Sequence, residues 1–347
     1  MAYTTVDDAS LYFRVKTYSG SSSDGNAITW DETHANMQPD WLWLKNRTSA
    51  QEHWLADVIR GTGKFLESNS NNAESSDGAT GLASFDTNGF TVNDSARTNR
   101  NTMVGWGWKA GGSASSNGDG DITSSVSANT TAGFSIVSYT GNGSATQTIG
   151  HGLGAVPKVM IFKRRNSSSD WIVYHVTRGA TKYIPLNSNG TGSTYEPYFA
   201  NTEPTSSVFT VDTAGDINGS SDTFIAYLFS EIKGYSKFSS YTGNGNADGT
   251  FVYTGFRPAW ILYKNTTTAD NWFIHDNRRQ GFNDQNELLF ADITQTESTV
   301  DRIRILSNGF KAIDSDKGVN KSGDTYIYLA FAESPLVNSN GVPTNAR

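Results

Sequence analysis

Pro39-Asp40-Trp41-Leu42-Trp43-Leu44-Lys45 decides the reading of the chain, because the phrase returns as Pro157-Lys158-Val159-Met160-Ile161-Phe162-Lys163 and Pro258-Ala259-Trp260-Ile261-Leu262-Tyr263-Lys264. Four or five bulky residues between a breaker and a charge are too few for a buried helix. They suit a strand covered on both faces. Each phrase therefore reads as the central strand of a repeated β unit.

The landmarks around it keep their order. A strand precedes each phrase, at Tyr12–Tyr18, Phe134–Tyr139 and Tyr235–Tyr241. The last two run into one identical turn, Tyr139-Thr140-Gly141-Asn142-Gly143 and Tyr241-Thr242-Gly243-Asn244-Gly245. Eight or nine residues beyond each lysine stands a tryptophan, Trp54, Trp171 or Trp272, and an Arg-Gly follows at Arg60-Gly61 and Arg178-Gly179. The third copy reads Arg278-Arg279-Gln280-Gly281, a departure that weakens any shared role for the arginine. Ser49-Ala50-Gln51-Glu52 has the form of a capping box for a short helix, but its counterpart Trp171–Val176 is β-branched and aromatic. Repeats share an architecture, so a strand is expected in both.

Next come short segments at Lys64–Leu66, Ile184–Leu186 and Glu287–Phe290. A turn and strand follow at Asn88-Gly89-Phe90, Val208–Val211 and Asn308-Gly309-Phe310. Asn-Gly signals a tight turn, since Gly accepts φ > 0. The closing strands open at Thr102, Thr223 and Thr325, which lie 63, 66 and 67 residues after the prolines. The expected fold is all-β, three tandem antiparallel β-sandwich domains, jelly-roll-like, of about 100 residues each. The boundaries are a lead-in at 1–10, repeats at 11–110, 133–232 and 233–335, a Gly/Ser/Asn-rich linker at 111–132, and a tail at 336–347.

Composition agrees. Of 347 residues, 36% are apolar but 12% are aromatic, the balance of small β domains with aromatic cores and many turns. Trp43, Trp54, Trp171 and Trp272 are accordingly assigned to the core, each contributing roughly 1.5–3 kcal/mol on burial. The absence of cysteine removes disulfides and thiolate metal sites. A net charge of −7, with no basic cluster longer than Lys163-Arg164-Arg165, lacks the footprint of a nucleic-acid binder. The N-terminus has neither basic nor apolar signal regions, and no stretch approaches 18 apolar residues. A soluble protein made in the cytoplasm, without membrane insertion, is expected.

Motifs for chemistry are weak. Gly61-Thr62-Gly63-Lys64-Phe65 lacks the first glycine of a phosphate loop and has Phe65 where Ser/Thr would hold magnesium. His275-Asp276 reads as a surface pair. Asn117-Gly118-Asp119-Gly120-Asp121-Ile122 offers alternating oxygens for calcium through Asp119 and Asp121. Val126, however, stands where an EF-hand needs glutamate, and a polar turn explains the same residues. The sequons at Asn46, Asn129, Asn142 and Asn265 follow from composition. The expectation is no enzyme, no cofactor, and no catalytic or metal residues.

Together, Tyr-Thr-Gly, the proline-opened run, Trp, Arg-Gly, Asn-Gly-Phe and the closing aromatic strand resemble a repeat domain of virion proteins from tailed marine phages. The phrase Asp121–Thr130, followed by Ala132–Val137, is similar to that family too. The resemblance covers residues 11–334. It implies a virion structural protein, a tail fibre or appendage component, with other virion proteins and host-surface glycan as partners and a homotrimer as the expected oligomer. A capsid decoration protein is the alternative, and a glycan-degrading virion enzyme a third.

Overall fold

The structure is a computed structural model that describes residues 4–77, 80–279 and 287–335. The expected C-terminal tail, 336–347, and the Gln280-Gly281 part of the third arginine motif lie outside the described residues. All strand pairings between named strands are antiparallel, and among the described residues helix is confined to three short turns at Ala9–Leu11, Glu196–Tyr198 and Gly215–Asn218. No helix among the described residues is long and apolar enough to cross a membrane.

The three copies of the sequence pattern build three sheets with one strand order. In the first, Phe13–Ser19, Thr102–Trp108, Trp41–Asn46 and Trp54–Asp57 lie side by side. The second repeats this with Phe134–Thr140, Thr223–Phe229, Val159–Arg164 and Ile172–His175. The third does so with Ser236–Thr242, Thr325–Pro335, Phe256–Asn265 and Trp272–Asp276. The capping-box signal at Ser49 does not produce a helix, and Trp54–Asp57 is a strand.

Each large sheet faces a small one: Asn26–Thr29, Gly89–Val92 and Leu82–Asp86 in the first copy, and Gln147–Gly150 with Val208–Val211 in the second. In the third copy the small sheet is Phe251–Tyr253, Gly309–Ala312 and Ile303–Leu306. Because side chains alternate along a strand, each of the first two central strands serves two cores, while both faces of the third join one core. Leu42 and Leu44 pack with Ile28, Phe90 and Val92 of their own small sheet. Met160 and Phe162 do the same with Phe209 and Val211. Trp41, Trp43, Val159 and Ile161 point the other way, into a core that also holds Phe134, Tyr227, Trp260 and Phe331. That core belongs to all three copies at once.

Aromatic pairs tie it together. Trp41 stacks on Tyr227 with centroids 4.4 Å apart, Trp108 meets Trp260 edge-on at 5.3 Å, and Phe229 meets Phe331 at 5.4 Å. Each joins a different pair of copies, and such pairs add about 0.5–1.5 kcal/mol beyond burial.

The stretch read as a linker is part of a sheet. Ser124–Asn129 pairs along its whole length with Phe134–Thr140, and Ser115–Asn117 pairs with it in turn. Val126 and Ser127 are buried there, so a few apolar and small residues at alternate positions carry a strand that composition concealed. The twin turns make twin bonds. Gly141 N and Gly243 N donate to Asp222 O and Asp324 O, both at 2.9 Å, while the Tyr139 and Tyr241 hydroxyls donate to Ile217 O and Val319 O. The Asn-Gly glycines are needed for a further reason. A Cβ on Gly89 or Gly309 would sit 2.0 Å from Ile28 O or Val252 O, so the adjacent strand occupies the space a side chain would need.

Candidate functional site

Strand register aligns the copies residue by residue. Lys45, Lys163 and Lys264 pair with Val104, Ile225 and Ile327. One step back, Leu44, Phe162 and Tyr263 pair with Trp54, Ile172 and Phe273. The counterpart of Trp171 and Trp272 is therefore His53, not Trp54, which corrects the sequence alignment. Trp43, Trp54, Trp171 and Trp272 are all buried.

These positions make a closed ring of contacts. The buried lysines donate from Nζ to a carbonyl of another copy: Lys45 to Thr294 O at 3.2 Å, Lys163 to Asn71 O at 3.4 Å and Lys264 to Asn189 O at 3.2 Å. Each also caps the carbonyl of the residue after it. Burial pulls all three down to about 8, with Glu52 opposing at Lys45 and Asp292 and Asp270 opposing at Lys264. Trp171 Nε1 donates to Glu67 O and Trp272 Nε1 to Pro185 O. His53 Nε2 lies 2.8 Å from Phe290 O, and its Nδ1 accepts from Trp43 Nε1 at 2.7 Å. A ring whose Nδ1 accepts carries its proton on Nε2. It is neutral, in keeping with a pKa that burial and Lys45 push well below the usual range. The direction is the same everywhere: the first copy reaches the third, the second reaches the first, and the third reaches the second.

A charged pair sits at the same level. Arg60 Nε donates to Asp57 Oδ2 at 2.5 Å and Arg279 Nε to Asp276 Oδ2 at 2.6 Å, all four side chains being buried. The Tyr227 hydroxyl donates to Asp57 at 2.7 Å, and Trp106 Nε1 to Asp276 at 2.9 Å, each from a different copy. Burial works to lower the Arg60 pKa, but Asp57, Tyr227 and Glu74 outweigh it and the net shift is upward. The reading of His275-Asp276 as a surface pair is thus wrong: His275 is buried against Tyr263, and Asp276 holds a junction. Nor is the third arginine a departure, since Arg279 stands three residues after Asp276 as Arg60 does after Asp57. The second copy is the one that differs. There His175 replaces the aspartate, Leu329 stands at the strand position that Tyr227 and Trp106 hold in the other copies, and Arg178 turns to Thr266 O and Thr191 O.

The other sequence candidates are scattered. Lys64 of the glycine-rich stretch donates to Ser76 Oγ in a short two-stranded pairing. Asp121 accepts from Thr148 N and Oγ1, which holds its carboxyl below the usual range, and Asp119 pairs with Asn117. Among the described residues no group of three or more His, Asp or Glu is placed to hold a metal. Asn46 and Asn265 are buried. A pocket of about 260 Å³, counting its open mouth, lies between the first and third copies. It is lined by Arg14, Glu32, Asn277, Arg278 and Glu333, whose charges largely pair with one another.

What the surface does offer is aromatic. Tyr195, Phe251 and Tyr253 are exposed. Tyr195 packs edge-on with Tyr183 and Tyr198. Phe251 and Tyr253 stand on one edge strand with Val252 buried between them. Sequence reasoning left these residues unassigned among 42 aromatics (Trp 9, Tyr 15, Phe 18); the signal was the alternation Phe251-Val252-Tyr253 set against Ala27-Ile28-Thr29 in the first copy.

Residues 8–335 match a family model described as a domain of unknown function, DUF7483. The chain belongs to that family. No curated protein and no solved structure matches the chain. The family match runs through all three copies and the stretch between the first two, so it spans the whole ring of junctions rather than one copy.

Proposed function

We propose that this DUF7483 protein is a structural component of a tailed-phage virion, a tail-fibre or appendage subunit that meets host-surface glycan. In this reading it is built from three tandem jelly-roll-like sandwich domains wrapped on one core. The carrying observation is the closed ring of junctions, in which buried polar groups serve to hold one copy to the next and leave loops and exposed aromatics outward. Loops on a rigid scaffold vary without disturbing the core, which suits an appendage. The resemblance of the motif order to a repeat domain of phage virion proteins supports the same reading.

One observation favours head decoration as a second reading: the copies gather around a common core instead of extending in series, and such a body suits a seat on a shell. Cryo-electron microscopy of the parent particle, with the chain fitted into density, tests both. Density at the tail supports the first reading, density on the head supports the second, and density at neither defeats both. A homotrimer of the whole chain belongs to this reading. Sedimentation at about three times the chain mass of 37.6 kDa would establish the trimer, and a mass near 37.6 kDa would leave the single chain as the unit.

A further inference from the structure

The three small sheets share a register, so their solvent faces compare position by position. Phe90 and Phe310 pair with Ile28 and Val252, and Phe209 with Ile149. The residues flanking these on the far face are Ala27 and Thr29 in the first copy, Thr148 and Gly150, the glycine covered by Asn117, in the second, and Phe251 and Tyr253 in the third. Two copies fold with small or polar residues here. The third exposes rings, Phe251 at 45% and Tyr253 at 55%, so their bulk is not a requirement of the fold.

Their neighbours set the chemistry. Lys311 lies opposite Phe251, and Arg304 opposite Lys311, which makes a row of one ring and two cations. Gly309 lies opposite Tyr253 and Leu306 beyond it. A Cβ on Gly309 would meet Val252 O, so no side chain stands opposite Tyr253. Lys311 is paired with Asp248, whereas Arg304 is exposed and has no carboxylate partner among the described residues. Residues two apart on one strand are about 6.6 Å apart, a spacing that lets two rings meet successive sugars of a chain. The C–H face of a pyranose is weakly positive and is drawn to the negative face of an aromatic ring.

We infer that Phe251 and Tyr253, with Arg304 and Lys311 beside them, form a stacking platform for an acidic polysaccharide. The rings take the sugar faces, and Arg304 takes a carboxylate or sulfate. The second copy is closed to the same use, because Asp121 bonds Thr148 and Ile122 bridges to Ile149 along that edge. The site deepens the glycan-facing reading above and rests on it.

The test is calorimetric titration of the full chain with alginate and with heparin, using neutral dextran as control. Saturable binding to either acidic polymer, weakened by salt, is expected. Phe251→Ala/Tyr253→Ala should weaken it at least tenfold and Arg304→Gln several-fold, while Tyr195→Ala leaves it unchanged. The double variant should melt as the parent does, since the other copies carry small residues at these positions. No binding beyond dextran, or full binding by the double variant, overturns the proposal. So does a dimer in sedimentation that the double variant abolishes, which would make a second chain the occupant. Particle location does not enter this experiment, so its failure and the failure of the virion reading are separately visible.

Discussion

Two of the three junctions bury an aspartate–arginine pair, and the third does without one. At Asp57–Arg60 and Asp276–Arg279 the carboxylate takes two backbone N–H groups, the guanidinium and an indole or phenol from another copy. At His175 the imidazole Nε2 faces Tyr328 O at 3.4 Å, and Arg178 donates to two carbonyls. The backbone arrangement survives the exchange. The charged pair is dispensable when both of its members change together.

The sharpest way to break that comparison is to remove one partner. Asp57→Ala or Asp276→Ala takes the nearest carboxylate from a buried guanidinium, leaving Arg60 with Glu74 at 3.5 Å and Arg279 with Glu297 at 3.1 Å, and should cost about 3 kcal/mol in urea unfolding. His175→Ala, which strands no charge, should cost about 1 kcal/mol. Equal losses at the three positions would mean that the pairs are incidental.

A second difference between copies is open to pH. Asn69, Asn187 and Asp292 occupy one position, each accepting from the backbone N–H of His53, Trp171 or Trp272. Burial pushes the Asp292 carboxyl up to about 7, against the pull of its backbone bonds and Lys264. A raised carboxyl binds its proton more tightly in the folded state. Its contribution is therefore greatest below pH 3.8, falls as pH rises toward 7, and becomes a penalty above that. Asp292→Asn, which copies its two siblings, should raise stability by about 2 kcal/mol at pH 8 and by little at pH 4. Melting curves at the two pH values decide it; a gain equal at both would show that burial is not what distinguishes Asp292.

The smallest effect is the coupling across a junction. Asp57→His and Tyr227→Leu together rewrite the first junction into the form of the third. The double variant should lose about 1 kcal/mol less than the sum of the singles, because the two groups are partners. Strict additivity would show that the hydroxyl contributes nothing to holding Asp57.

Much of this was legible in residues. The bulky run after proline announced the central strands, and the repeated Tyr-Thr-Gly-Asn-Gly turn announced its own hydrogen bonds. Aromatic content announced the core. The errors came from single-residue registers. Matching tryptophan to tryptophan set Trp54 beside Trp171 and Trp272, whereas a constant spacing of eight from the lysine leads to His53. Arg279 was missed for the same reason, since identity of the neighbouring glycine was preferred to spacing from the aspartate. The strand at Ser124–Asn129 was hidden because two or three inward side chains suffice for it between its two neighbours, and a Ser/Asn-rich surface face then resembles a linker. The stacking surface was invisible because exposure, not residue type, separates Phe251 from Phe310.

The sequence by itself determined that strands form, where turns fall and that the pattern recurs three times, since those depend on side-chain bulk, breakers and short-range backbone chemistry. Only the tertiary structure decided what covers the second face of each central strand. A run such as Trp41-Leu42-Trp43-Leu44 is apolar on both sides, so period-two alternation separates its faces without saying which one meets the small sheet and which one meets the other copies. That choice depends on long-range packing of Trp41, Tyr227, Trp260 and Phe331 from distant parts of the chain.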